Sequence, residues 1–196
     1  MYQSLLVSLL LFPIIATTSD DPRPIDIVLC TKAHPCGGFP ALDIRTAPVR
    51  PADVATIDGM MKAFYEVVSG PKGQPRDWAR DRTLYTPDLR FVSVNERRTG
   101  RLAALIMDHQ TFAESSQPSL TRNGFFEKEI HREVQRFGHI AHVFSTYESR
   151  ETLDGPPTAR GINSIEMIFD GHRWWITFAE WDEERDGQTL PKEFLP

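Results

Sequence analysis

Ser164-Ile-Glu-Met-Ile-Phe-Asp-Gly-His-Arg-Trp-Trp-Ile-Thr-Phe-Ala-Glu-Trp181 is the stretch whose reading decides the architecture of this chain. Two runs of β-branched and aromatic residues flank Asp170-Gly171. Asp-Gly is the strongest short hairpin signal, because a type I′ turn wants positive φ at both central residues. A two-residue turn there sets a register: Phe169 opposite His172, Met167 opposite Trp174, Ile165 opposite Ile176, Glu166 opposite Trp175 and Ser164 opposite Thr177. One face then carries Ile165, Met167, Phe169, Trp174, Ile176 and Phe178. The other mixes Ser164, Glu166, Ile168, Trp175, Thr177, Ala179 and Trp181. A face open to water does not bear so many aromatics, so both faces are expected to be covered. Helices of the first half can cover one; a second subunit or a deep pocket must account for the other.

Working outward, segments 125–137, 140–150, 160–169 and 172–183 read as long strands, separated by Gly138, Asp154-Gly155-Pro156-Pro157 and Asp170-Gly171. Within the first of them, Glu127-Lys-Glu-Ile-His-Arg-Glu133 alternates charge, as an exposed or edge strand does. Upstream, 89–94 and 102–107 read as strands, and Thr111-x-x-Glu114 is a capping-box pattern that predicts a brief helix over 112–117. A short helical piece around 75–82 would place Trp78 against the domain. Val54, Ile57, Met61, Phe64 and Val68 step by three and four, the stripe of an amphipathic helix that Asp53 can cap and Gly70-Pro71 ends. Before it, prolines at 22, 24, 35, 40, 48 and 51 predict irregular structure.

The amino terminus, MYQSLLVSLLLFPIIATTSDD, has an apolar stretch, Leu5 to Ala16, that is too short for the ~20 residues that span a bilayer. Small residues and then two aspartates follow it, as in a cleavable secretory signal with Ala16-x-Thr18 near the cut. A buried hydrophobic helix and an uncleaved anchor are the alternatives. Export to the exterior or periplasm would let Cys30 and Cys36 close the loop CTKAHPC as a disulfide. A metal or redox site helped by His34, and two free thiols, are the other readings of that pair. The organisation is therefore a signal over 1–19, a Pro-rich extension over 20–52, a domain over 53–185 and a tail over 186–196. No stable membrane span is expected once the signal is removed.

Composition narrows the function classes. The 196 residues carry 22 Lys and Arg against 27 Asp and Glu, a net charge of −5 with no basic block. A nucleic-acid backbone is not an expected partner of such a chain. Two cysteines cannot build a zinc ribbon, and no GxSxG, Walker or GxGxxG motif occurs. His131 and Glu133 share a strand face but lack a third ligand, and His139 and His142 point to opposite faces. No metal and no cofactor is expected.

A long amphipathic helix, a shorter helix, then antiparallel strands closing on Asp-Gly-x-x-Trp resembles the nuclear transport factor 2-like superfamily. The likeness rests on the helix at 53–69, on Gly138-His-Ile-Ala-His-Val-Phe144 and on Asp170-Gly-His-Arg-Trp-Trp-Ile176, and its flavour is that of SnoaL-like secreted bacterial members. It covers residues 53–185. The resemblance implies an α+β fold, a cone-shaped, curved antiparallel sheet wrapped around an N-terminal helix, with a cavity at the open end and pairing of copies through the outer sheet face. Members include isomerases, dehydratases, cyclases and proteins that only bind or assemble, so the site must carry the functional argument.

If the mixed face is the concave one, Ser164, Glu166, Trp175, Thr177 and Trp181 line the cavity. The IAHVF segment, by its likeness to related members, adds His142, Phe144, Thr146 and Glu148. His142 and Glu166 are then the candidate proton-transfer pair. The expected function is an exported protein that binds a small, largely apolar molecule, with Phe144, Thr146, Ser164, Trp175, Thr177 and Trp181 as the wall. The alternatives are a SnoaL-like or isomerase-type enzyme doing acid–base chemistry on a polyketide-, steroid- or terpenoid-like substrate, and a homodimeric assembly module with no ligand. The Tyr and Asp arrangement of ketosteroid isomerases is not matched residue by residue.

Overall fold

The computed structural model describes residues 25–30, 37–97 and 99–196. The expected signal over 1–19 and Cys36 lie outside the described residues; Cys30 is buried at 1% exposure.

Helix α1, Pro51–Val54, precedes α2, Ile57–Val68. The expected single helix is broken after Val54, and Thr56 rather than Asp53 caps the longer piece, its hydroxyl accepting Gly59 N–H at 2.9 Å. Asp53 is instead held by Arg80 through two bonds of 2.8 and 2.9 Å. Met60, Met61, Phe64, Tyr65, Val67 and Val68 are buried along α2. Its chain leaves through Gly70, which pairs with Phe125 in a short bridge. Helix α3, Trp78–Asp81, buries Trp78 as the sequence predicts.

Seven strands make one sheet: β1 (Ile25–Cys30), β2 (Tyr85–Glu96), β3 (Leu102–Met107), β4 (Phe126–Phe137), β5 (Ile140–Arg150), β6 (Ala159–Phe169) and β7 (Trp174–Glu183). Their order is β1-β3-β2-β7-β6-β5-β4, so the charge-alternating β4 is an edge strand, as its sequence predicts. The β1/β3 and β2/β7 pairings are parallel and the rest antiparallel. Strand β1 falls inside the extension expected to be irregular: its Ile-Asp-Ile-Val-Leu-Cys run is free of proline and extends the sheet beyond β3.

Helix α4, His109–Asn123, is far longer than the predicted 112–117. Its cap is Asp108, whose carboxylate accepts Thr111 N–H at 2.7 Å, and Glu114 reaches away to Leu42 N–H at 3.0 Å instead of closing a capping box. A polar composition and Pro118 hid this helix. Tertiary bonds hold it in place: Trp78 Nε1 donates to Gln117 at 2.5 Å, and Arg76 donates to the Leu120 carbonyl at 2.7 Å.

The hairpin decides which residues look inward. Its loop has four residues, not two. Asp170 accepts the backbone N–H groups of both His172 and Arg173 at 2.8 Å, Gly171 adopts φ 99°, and Phe169 pairs with Trp174. Further along, Met167 pairs with Ile176 but Glu166 with Phe178, so Thr177 is a bulge residue. A bulge reverses the inward–outward alternation beyond it. Trp174 and Ile176 point inward before it, and Ala179 and Trp181 after it. The concave face is thus the apolar one, with Ala141, Val143, Ile165, Met167, Trp174, Ile176 and Ala179 buried beneath α2. Tyr65 on α2 confirms this orientation, since its hydroxyl meets Ser145 on β5 at 2.6 Å and Asn163 on β6 at 3.1 Å. The predicted register and the predicted concave face are both corrected by these two features.

Candidate functional site

Between α2, α4 and the concave face lies a cavity of about 170 Å³. Its walls are Phe64 and Val68 from α2, Phe112 and Leu120 from α4, Phe91 and Tyr85 from β2, Phe125, and Trp181 from β7. Phe91, Phe112 and Trp181 contact one another with ring centroids 4.5–6.1 Å apart. Ser116 on α4 also lines it, and from the sheet four polar side chains converge on these walls: Glu127 on β4, Tyr147 on β5, Asn163 on β6 and Glu183 on β7. An apolar pocket with a few placed polar groups is the usual form of a small-molecule site. Two larger grooves, of about 380 and 390 Å³, lie between α2 and β4 and along the outer face under the C-terminal segment. Neither has this ring of aromatic side chains.

The polar groups are set by the sheet. Tyr147 donates to Glu183 Oε1 at 3.1 Å. Its ring lies over Gly161, where any Cβ would stand 2.3 Å from the Asp182 carbonyl and 2.7 Å from the Tyr147 hydroxyl, so only glycine leaves this space. The partly buried Glu127 carboxyl is pushed up to about 8, by loss of hydration first and by the charge of Glu183 second. Burial likewise holds the phenols of Tyr65, Tyr85 and Tyr147 well above their ordinary value, with Glu127 adding to all three. At neutral pH the site therefore contains proton-bearing phenols and a carboxyl poised to gain or lose a proton. Behind the wall, Tyr85 donates to Asp81 at 2.7 Å and His109 Nε2 meets the other Asp81 oxygen at 2.9 Å, all three nearly inaccessible.

Most residues singled out in the sequence lie on the other side of the sheet. His142 and Glu166 are cross-strand neighbours, but they stand on the outer face, where His142 Nε2 meets Ser164 Oγ at 3.0 Å. Phe144 and Ser164 are paired on that face, and Phe194 of the tail packs on Phe144 at 5.0 Å. Thr146 is wholly buried there, its hydroxyl without a partner, and Glu148 is held by Lys128 at 3.0 Å. Trp175 donates to Asp170 at 2.6 Å and lies under Arg173, while Thr177 occupies the bulge. Trp181 alone of that set lines the interior cavity. The residues missed, Glu127, Tyr147, Asn163 and Glu183, come from four strands whose adjacency no local pattern announces. The available signal was the shared parity of Glu127 and Glu129 on β4, which points both to one face.

Among solved structures, 27 chains match, and the likeness is one of fold. A Nostoc punctiforme protein with a cystatin-like fold superposes with a TM-score of 0.50 at 10% identity over 65% of this chain and 88% of its own. This chain has a cystatin-like fold. A Silicibacter pomeroyi nuclear transport factor 2-like protein is similar at 14% identity and TM-score 0.46, over 66% of this chain and 94% of its own. A Parabacteroides distasonis protein described as a candidate ketosteroid isomerase is similar at 11% identity and TM-score 0.47, over 68% and 92%. No family model and no curated protein sequence matches the chain. Among the described residues, no helix is long and apolar enough to cross a membrane, and no three His, Cys, Asp or Glu side chains are grouped to hold a metal ion.

Proposed function

We propose that this nuclear transport factor 2-like chain binds a small, largely apolar molecule in the interior cavity. The observation that carries the reading is the aromatic wall closing on a carboxyl, Glu127, that has no hydrogen-bond or ion-pair partner among the described residues. A volume near 170 Å³ suits a single substituted ring, since a cavity of ~150 Å³ holds benzene. Native mass spectrometry of protein purified from its own host should show a bound small molecule, and NMR saturation transfer should show toluene bound. Ser116→Trp, which fills the cavity from α4, should abolish both while the protein stays folded. No bound mass together with no toluene binding, or binding undiminished in Ser116→Trp, overturns the proposal.

Acid–base chemistry on such a ligand is the second reading. It is supported by the Glu127 carboxyl, whose value near 8 matches what a general acid or base working near neutral pH requires. The proton-transfer role expected of His142 and Glu166 passes to Glu127, since that pair lies outside the cavity. The outer face supports a different role, self-association. Phe137, Ile140, Ile168 and Trp175 are consecutive cross-strand partners, and the first three are 84, 59 and 40% exposed. His142 and Glu166 fall in the next row of that face. Sedimentation should show a dimer that Ile140→Asp dissociates; a monomer at micromolar concentration refutes it. Export is proposed from the Leu5–Ala16 stretch and its small-residue border, and the amino-terminal sequence of the mature protein tests it.

A further inference from the structure

A hydrogen-bond chain behind the cavity determines what the cavity offers to a ligand. Ser145 Oγ donates to Glu129 Oε2 at 2.5 Å, and Arg132 Nε approaches the other oxygen of that carboxylate at 3.4 Å. The Ser145 hydroxyl has one proton and has given it to Glu129, so its 2.6 Å contact with Tyr65 must be donated by Tyr65. Tyr65, its own proton spent, must then accept the 3.1 Å bond from Asn163, and only the amide nitrogen of Asn163 can supply it. The orientation of Asn163, which is 4% exposed and has no other side-chain partner among the described residues, follows: its carbonyl oxygen is left for the cavity, together with the second proton of its amide nitrogen.

The other groups at that end are of the same kind. Among the described residues the Glu127 carboxyl has no hydrogen-bond partner, and the Glu183 carboxylate accepts a single bond, from Tyr147. Among the described residues, no Lys, Arg or His lines the cavity. Two carboxyls and an amide carbonyl thus face the same space with no basic side chain among them. The surrounding rings of Phe91, Phe112 and Trp181 present faces that attract cations.

Building on the reading that the cavity binds an apolar molecule, we propose that its ligand is a hydrophobic amine: one ring or ring-sized body bearing a protonated nitrogen that donates to Asn163 Oδ1, Glu127 and Glu183. The ammonium supplies the positive charge that this end of the cavity lacks, and its three protons serve the carboxylate oxygens of Glu183 and Glu127 and the Asn163 carbonyl. Binding also displaces a proton. At pH 7 Glu127 is protonated, because loss of hydration and Glu183 push it to about 8, and an adjacent cation favours its ionised form. The Glu127 proton passes to the buffer as the ammonium arrives. The titratable groups on the cavity side of Glu127 are Tyr65 on α2, Tyr85 on β2, Tyr147 on β5 and Glu183 on β7; on its other side Glu127 lines the groove between α2 and β4, which carries Lys62, Glu66, Lys128, Glu129, Arg132 and Arg150, and the phenols stay protonated throughout this range.

Titration calorimetry of the full chain with benzylamine, benzyl alcohol and toluene at pH 7 tests the assignment. Benzylamine should bind about tenfold more tightly than benzyl alcohol, the step from a neutral to a charge-assisted donor. Its apparent enthalpy should vary with the ionisation enthalpy of the buffer in the direction of proton release. Glu127→Gln should abolish that release and bring the benzylamine-to-benzyl alcohol affinity ratio towards one, and Glu183→Gln should lower the ratio. If toluene binds but benzyl alcohol equals or exceeds benzylamine, or no proton is released, the amine assignment falls and the apolar-ligand reading stands. If none of the three binds, the amine assignment falls, and the apolar-ligand reading falls with it when native mass spectrometry shows no bound mass.

Discussion

Glu127→Gln should make the protein more stable than the wild type above pH 4.5, by an amount that grows with pH up to about 8 and is constant beyond it. In the folded chain the Glu127 carboxyl titrates at about 8; unfolded it returns to its ordinary 4.5. Between those values the native state holds a proton that the unfolded state has lost, so the stability contributed by this group falls as pH rises. It is fully present below pH 4.5, declines through the window and is gone once pH exceeds about 8. At about 1.4 kcal/mol per pH unit, the loss over that window is on the order of 5 kcal/mol, a large share of the ~5–15 kcal/mol that stabilises a domain. Glutamine reproduces the shape of the protonated carboxyl and cannot ionise. The variant should therefore match the wild type near pH 4.5 and diverge upward from it. The assay is urea unfolding followed by tryptophan fluorescence from pH 5 to 9 in the ligand-free protein. All other titrating groups are common to the two chains, so the difference in stability isolates Glu127. Parallel pH profiles, or a variant that weakens relative to the wild type as pH rises, would refute the placement of this carboxyl in a poorly hydrated cavity beside Glu183.

Three further outcomes follow from the geometry. Arg76→Met should cost about 3 kcal/mol or more in chemical denaturation, because the buried guanidinium serves the carbonyls of Val68, Gly70, Gln74 and Leu120 at 2.6–2.8 Å and methionine leaves them unsatisfied. Thr56→Ala should cost about 1 kcal/mol in the same assay by removing the cap of α2, while Thr56→Ser should restore most of it. The disulfide that the sequence predicts between Cys30 and Cys36 should let unfolded protein take up alkylating reagent at those positions only after reduction, and alkylation without reduction would refute the pairing.

The elements that were legible in the sequence are those whose residues repeat at one spacing over their whole length. Ile57, Met61, Phe64 and Val68 announce α2 through steps of three and four, and β3 is predicted at its observed bounds by Leu102-Ala-Ala-Leu-Ile-Met107. The charged alternation after Glu127 correctly marks β4 as an edge. Where one residue departs from the repeat, local reading fails. Thr177 is one extra residue, yet it moves Trp181 from the outer face to the cavity and exchanges Phe178 with Ala179. Helix α4 fails for a different reason: its polar sequence has little helical preference of its own, and bonds from Arg76, Trp78 and Leu42 stabilise it from outside.

The candidate site divides in the same way. By itself the sequence determines which segments are apolar and places six of the seven strands, because burial of hydrophobic side chains depends on composition and spacing; the expectation of a cone came from the family resemblance. Which carboxyl sits in water and which sits among aromatic rings is decided only by the tertiary structure. Glu127, Tyr147, Asn163 and Glu183 are brought together by the pairing of β4 with β5, β5 with β6 and β6 with β7, and by α2 and α4 closing over them. Their chemistry comes from the water they have lost, which no single strand can remove.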